Sequence, residues 1–394
     1  MMKRLIFLVI VLTGCSTLTP LQRSKLITAF HLIEDANYKE AHEFIEEMAE
    51  DEEAAQWPRT WHARGLLYQN AYREGIRRNN KSLYELQPKQ LFVAYESYEK
   101  ALDLNAGRGI RNQLTPKYVL LANDFQKMGQ ERFNEKKYNE ALEAFETAQQ
   151  IRQSELLQLD PDTNLVYNMA ITAIEGDKQE KAIQYLHQLD EYNYGTNVSH
   201  LLSAEYLQQG DTTEAKEVLE QGINKYEDIN LVLLLVDLNF EQGNIKESLA
   251  ILDRRSSDYP SNYEFPYTKG LILQKTGSYR EAIDAYEKSL ELEPEQSIIY
   301  AQIATCYFNI GIEIEEYART LEENRRVMEE RERSTDALES AAAWVNKALE
   351  MDTQDPETLA IISELSSLLE ITERVEDVDN PAREDEASEE SDTE

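Results

Sequence analysis

Apolar and small residues recur along this chain at intervals of three and four, the spacing of one helix face. No alternating run bounded by turn residues interrupts them, so the pattern predicts an all-α chain. The stretch from Tyr263 to Pro294 shows how the helices are paired. Gly270 precedes a break at Thr276-Gly277-Ser278, after which Tyr279, Ala282, Tyr286 and Ser289 follow in helical register up to Pro294. Counted from Tyr263, Gly270 is at position 8, Ala282 at 20, Tyr286 at 24 and Pro294 at 32. Small residues at 8 and 20 let two antiparallel helices approach closely, and the aromatic at 24 fills the space between them. The proline ends the second helix because it cannot continue the hydrogen-bond ladder.

The unit repeats. Stepping back from Ala282, equivalent small residues stand at Ser248, Ala215 and Ala182, at spacings of 34, 33 and 33. Each follows a polar or glycine-containing break (Gly277, Gln242-Gly243-Asn244, Gln209-Gly210-Asp211, Gly176-Asp177) and precedes Tyr286, Leu252, Leu219 or Leu186 four residues on. Ala141 with Phe145, Ala94 with Tyr98, and Ala41 extend the series towards the N-terminus. Seven or eight units with a period near 34 residues resemble the tetratricopeptide repeat, a helix–turn–helix unit. The resemblance covers about residues 20 to 370. It implies an α-solenoid, a right-handed superhelix of helical hairpins, over residues 22–352.

Two units depart from the period. In WPRTWHARGLLY, Trp61, Gly65 and Tyr68 occupy positions 4, 8 and 11, but the partner helix comes only after a polar insertion at 79–89. In the eighth, no break follows Gly311, and 312–333 continues as charged helix without glycine or proline. Glu315/Arg319, Glu322/Arg326 and Glu329/Arg333 are spaced as i,i+4 pairs. Ile310, Ile314, Tyr317, Leu321 and Met328 make a narrow heptad seam. The expectation is one extended helix that projects or folds back, either a capping hairpin or a partner-docking arm. A helix over 353–375 would close the stack, because terminal repeats need an atypical outer face.

The N-terminus adds a second signal. Lys3-Arg4 precedes the apolar run Leu5–Leu12, which is too short to span a bilayer. Leu12-Thr13-Gly14-Cys15 then resembles the lipobox of bacterial lipoproteins. That resemblance implies a signal peptide at 1–14, cleavage before Cys15, lipidation of its thiol and amine, and a linker over 15–21. Acyl chains contribute about 0.8 kcal/mol per buried methylene, enough for several together to hold a protein at a membrane. Ser16 rather than Asp resembles the sorting rule for the outer membrane, and the expected face is periplasmic. The one other cysteine, Cys306, is expected to be a small core residue.

Charge narrows the partners. The chain carries a formal −35, and loss of Lys3 and Arg4 with residues 1–14 would leave −37. Nucleic acid and anionic lipid surfaces both need clustered cations, so neither is expected. Glu376–Glu394 holds ten acids against Arg383 and almost nothing apolar, and is expected to be disordered, either a solvating tail or a lure for a basic partner.

Catalytic chemistry is not indicated. His31, His42, His62, His187 and His200 fall in different repeats, with no HExxH or CxxC, so no metal or cofactor is expected. No GxSxG or phosphate-binding glycine loop occurs. The tetratricopeptide resemblance implies a concave groove lined by the first helix of each pair at positions 2, 5, 9, 12 and 13. Here those give His62, Gln69 and Asn70; Gln126, Gln130 and Phe133; Asn164 and Tyr167; His200; Asn230, Asp237 and Phe240; Tyr267 and Gln274. The chaperone-type clamp needs Lys at 5 and Asn at 9, a pair missing here.

The resulting expectation is a non-enzymatic, membrane-anchored scaffold whose groove, or whose 312–333 helix, binds envelope proteins. The alternative is a sugar-binding outer-membrane lipoprotein with similar helices. Such proteins carry long loops with aromatic platforms, whereas this chain has only Trp57, Trp61 and Trp344.

Overall fold

A computed structural model describes residues 19–104, 107–351 and 354–379, with backbone alone from 371 onward. Among the described residues every regular element is helical. The pairs are α1 (Pro20–Glu34) with α2 (Tyr38–Glu50), and α3 (Pro58–Arg77) with α5 (Gln90–Asp103), the short α4 (Lys81–Tyr84) lying between the latter two. Then come α6 (Arg108–Asn134) with α7 (Tyr138–Gln153), and α8 (Thr163–Glu175) with α9 (Gln179–Glu191). The helices α10 (Thr196–Gln209) and α11 (Thr212–Tyr226) follow in order. The last pairs are α12 (Ile229–Glu241) with α13 (Ile245–Asp258), α14 (Glu264–Lys275) with α15 (Tyr279–Leu292), and α16 (Ser297–Arg319) with α17 (Asn324–Glu350); α18 (Pro356–Asp379) ends the series. Two compact units divide at Gln209 and Gly210, α1 to α10 in one and α11 to α18 in the other.

Caps explain the helix ends. Thr19 opens α1 with a reciprocal capping box: its hydroxyl accepts from the Gln22 amide at 3.2 Å, and Gln22 Oε1 accepts from the Thr19 amide at 2.8 Å. Asp162 caps α8 by accepting from Leu165 N at 3.2 Å. The first helix of a pair ends repeatedly in the same six-residue turn. Asn37 N bonds Leu32 O, Lys137 N bonds Arg132 O, Lys178 N bonds Ala173 O, Asn244 N bonds Asn239 O and Ser278 N bonds Leu273 O, all at 2.8–2.9 Å. The residue before each donor is left-handed, and only Gly243 and Gly277 are glycines; Ala36, Lys136 and Asp177 take the same conformation. At the fourth pair the strained residue is Asp177. Gly176 is needed for space instead, since a Cβ there would meet Thr172 O and Tyr138 Cβ at 3.0 Å.

A glycine at position 8 meets an aromatic at position 24 in the second, third and seventh units. A Cβ on Gly129 would lie 2.6 Å from Phe145, and one on Gly65 would overlap the ring of Tyr98. Gly65 and Tyr98 meet across the 79–89 insertion because that insertion folds down on α3. Its Tyr84 backbone lies 2.5 Å from where a Gly75 Cβ would be, and buried Gln90 donates to Tyr68 O and Leu83 O at 2.9 and 3.0 Å. Ala182, Ala215, Ser248 and Ala282 are all buried.

The expectation of an unbroken helix over 312–333 is corrected. The chain leaves helix at Thr320, turns through Glu323 and returns as α17, so α16 and α17 form a long hairpin. Gly311 makes this possible: Leu338 packs 2.8 Å from where its Cβ would be, and Ser334 Oγ donates to Gly311 O at 2.8 Å. Of the three expected ion pairs only Glu315–Arg319 forms, at 3.1 Å, because Glu322 lies in the turn; Arg325 pairs with Glu329 and Arg333 with Glu330 instead. The seam is buried only at its base. Ile310 and Ile314 join the core around Tyr286, while Tyr317 and Met328 are exposed.

Helix α18 lays Ile362 and Leu365 on Ala301, Ala304, Val345 and Ala348, and its backbone stays helical to Asp379, beyond the expected 375. Cys306 is buried with its thiol pushed up to about 12 by burial. The residues expected to form the signal peptide, the lipidated Cys15 and most of the acidic tail lie outside the described residues.

Candidate partner-binding surface

The first helices of the pairs carry the candidate residues, and neighbouring helices decide which of them face solvent. In the first unit α6 begins at Arg108, well before its repeat register, and this extension covers α3. Lys117 O on the extension accepts from Gln69 Nε2 at 3.2 Å. Gln69 is consequently buried, its second partner Asp124 Oδ2 at 3.3 Å, and its Oε1 accepts from Tyr98 OH at 2.9 Å. His62 is buried too, its ring 5.9 Å from Phe30 and 6.4 Å from Tyr98. Burial, then the charges of Lys117 and Arg59, hold its pKa down to about 4, so the ring is neutral at pH 7. His62 and Gln69 are therefore corrected from groove residues to packing residues.

Gln274 is corrected similarly. Its Oε1 accepts from Tyr286 OH at 2.6 Å and from Cys306 Sγ at 3.6 Å, and its Nε2 donates to Gln302 Oε1 at 2.9 Å. This satisfied amide sits beside the position 8/24 contact and has little left for a partner.

The other candidates lie at or near the surface. Gln126 is half-buried with Nε2 3.5 Å from Asp162 Oδ2, and exposed Gln130 donates to Asn134 Oδ1 at 3.2 Å. Tyr167 stacks on Tyr194 with centroids 5.3 Å apart and planes at 19°. Asn197 Nδ2 donates to Tyr167 OH and Tyr194 OH donates to Asn164 Oδ1, both at 3.2 Å. Asn164, Tyr194 and Asn197 are exposed, and His200 is half-buried one turn further along α10. These residues form an aromatic–amide patch within the first unit.

In the second unit Lys275 Nζ lies 5.6 Å from the Phe240 ring centroid, a cation–π contact. Exposed Asp237 sits beside them; desolvation raises its pKa and the Lys275 charge opposes that. Exposed Asn230 lies near the start of the same helix, its amide donating to the Asp228 cap at 2.8 Å. Tyr267 is half-buried against Tyr286 at 5.9 Å, its hydroxyl pushed up to about 12 by burial and then by Glu357 and Asp355. It is partly a core residue.

Tyr194, Asn197 and Lys275 were not among the sequence candidates. Asn197 and Lys275 occupy positions 2 and 13 of their repeats, so the same register points to both. Tyr194 belongs to the loop before α10, and only its tertiary neighbour marks it. Among the described residues no three metal-ligating side chains converge, and no helix is long and apolar enough to cross a membrane.

No curated protein matches the chain. Among solved structures, MamA 41-end from Desulfovibrio magneticus RS-1 aligns at 16% identity and TM-score 0.33, covering 49% of this chain and 97% of that one. A TPR repeats protein from Bacteroides fragilis NCTC 9343 aligns at 16% identity and TM-score 0.33, covering 63% of this chain and 98% of that one. A family model described as a tetratricopeptide repeat-like domain matches residues 125–305. With helix pairing, recurrent turns and a Gly-to-aromatic contact in place there, residues 125–305 form a tetratricopeptide repeat-like domain.

Proposed function

We propose that this chain is a non-enzymatic scaffold that holds protein partners at a cell envelope, anchored through Cys15. The observation carrying the scaffold reading is the pair of partly exposed aromatic–polar patches, Tyr167–Tyr194 with Asn164 and Asn197, and Phe240–Lys275 with Asp237. Aromatic rings already held by stacking or by a cation lose little entropy on binding and supply much of an interface's energy. Support for the anchor comes from the lipobox-like Leu12–Cys15 and the basic, then apolar, residues before it. An outer-membrane site facing the periplasm is the localisation this favours.

Capture of bound proteins from detergent-solubilised envelope tests the reading. Tyr167→Ala combined with Phe240→Ala should lose the captured protein while circular dichroism stays native. Phe240 is preferable to Tyr267 because Tyr267 also packs on the core around Tyr286. Undiminished capture by the double variant would place the partner elsewhere, with the α16–α17 hairpin the next surface to examine. The sugar-binding alternative has the Tyr167–Tyr194 pair in its favour, since aromatic faces flanked by amides suit a sugar ring. Quenching of tyrosine fluorescence by an oligosaccharide, abolished by Tyr194→Ala, would favour that alternative.

A further inference from the structure

Charge is distributed unevenly along this acidic chain. From Arg59 to Lys137 there are fifteen Lys and Arg against eight Asp and Glu, a formal +7. The remaining residues carry 25 cations against 67 acids, a formal −42. The cationic segment contains α3 and α6, whose facing sides form one seam within the first unit.

Three cations meet along that seam. Arg59 and Arg73 stand on one side of α3, fourteen residues and so about 21 Å apart. Lys117 lies opposite them on α6, placed there by the bond from Gln69 Nε2 to its carbonyl at 3.2 Å. Its charge and that of Arg59 both bear on His62, and the Arg73 charge bears on Lys117. No carboxylate pairs with Arg59 or Lys117 among the described residues, and Arg73 reaches only Asp124, at 3.6 Å. The floor beneath supplies one carboxylate, the buried Asp124 that also accepts from Gln69 Nε2 at 3.3 Å, while His62 is neutral, so three cations face a single acid. Desolvation, then Arg73, lowers the pKa of half-buried Lys117. The fold thus holds cations together without enough internal counter-charge.

We propose that the α3–α6 seam of the first unit seats an acidic peptide segment of a partner protein, with Arg59, Lys117 and Arg73 receiving its carboxylates. An extended peptide covers about 21 Å in roughly six residues, so a short run of Asp and Glu suffices. Shortness matters. A bilayer or a nucleic acid is an extended anion, and outside 59–137 the same unit is acidic, so such an anion is repelled over roughly the 8 Å screening length. A short segment meets only the cationic island. The site is distinct from the Tyr167 and Phe240 patches, and it rests on the scaffold reading only in taking the ligand to be protein.

The test is fluorescence anisotropy of a labelled polyglutamate peptide with the purified full chain, wild type against Arg59→Gln with Lys117→Met. Arg59 is exposed and unpaired, and methionine keeps the Lys117 stem packing, so the double variant should retain its fold by circular dichroism. Wild-type binding should weaken as salt rises, and the variant should bind about tenfold more weakly at low salt. Lys136→Gln with Lys137→Gln, at the α6–α7 turn of the same unit, should bind as wild type does. Wild type that ignores polyglutamate, or a seam variant that binds it equally well, overturns the proposal. Sedimentation of the chain with phosphatidylglycerol vesicles, lost in the same seam variant, would also overturn it by assigning the seam to a membrane. Failure of the scaffold reading shows up separately, as envelope capture that yields nothing, because the anisotropy probe is synthetic.

Discussion

Tyr286 lies across Gly270, so that a Cβ built on the glycine would sit 2.5 Å from ring atom Cδ1 and closer still to Cε1. Both residues are buried, and the tyrosine hydroxyl is bonded to half-buried Gln274 at 2.6 Å, so the ring cannot swing away without losing that partner. Gly270→Ala should therefore overpack the pair, costing about 1–3 kcal/mol. The same change at Gly109, where a Cβ meets nothing, should leave the thermal midpoint unchanged or slightly raised. Equal midpoints for the two variants would refute the contact's importance.

His62 makes stability depend on pH. Its folded pKa is about 4 against an ordinary 6.5, so below 6.5 the unfolded chain takes up a proton that the folded chain refuses. Stability is unaffected above pH 6.5 and falls as pH drops from there towards 4, by on the order of 3 kcal/mol in full. His62→Phe should flatten the acid-side loss between pH 6.5 and 5, where ordinary carboxylates remain charged. Urea midpoints across that window check it, and parallel curves for variant and wild type would contradict the assignment.

The α16–α17 hairpin should divide into a structural base and a dispensable tip. Leu338 is buried over Gly311, and Leu338→Ala should cost about 2–5 kcal/mol. Met328 is 73% exposed, and Met328→Ala should change stability by less than about 0.5 kcal/mol. Thermal melts of the two single variants decide this. A strongly destabilised Met328→Ala would mean that the tip is covered.

The anchor makes a separate forecast. Cys15→Ser should abolish lipid labelling and move the chain from the membrane to the soluble fraction, or leave it unprocessed. A correctly cleaved serine variant that remains in the membrane fraction would remove the lipoprotein proposal.

Much of this molecule is decided by local sequence. Helix period, the breaks at Gly243 and Gly277, and the pairing of Gly270 with Tyr286 or Gly65 with Tyr98 all follow from side-chain size and backbone preference over a few tens of residues. The register even points to Asn197 and Lys275. Contacts between helices decided the rest. Position 12 of the second repeat reads as groove, yet Gln69 is buried because the early start of α6 brings Lys117 over it. Nothing in the period announces that cover. The run after Gly311 contains no helix breaker, yet the chain reverses at Thr320–Glu323, where Leu338 and Ser334 dock on Gly311 and draw the second helix back. Propensity acts within a few turns of helix, whereas exposure of a face and reversal of a chain depend on which distant surface is there to be buried.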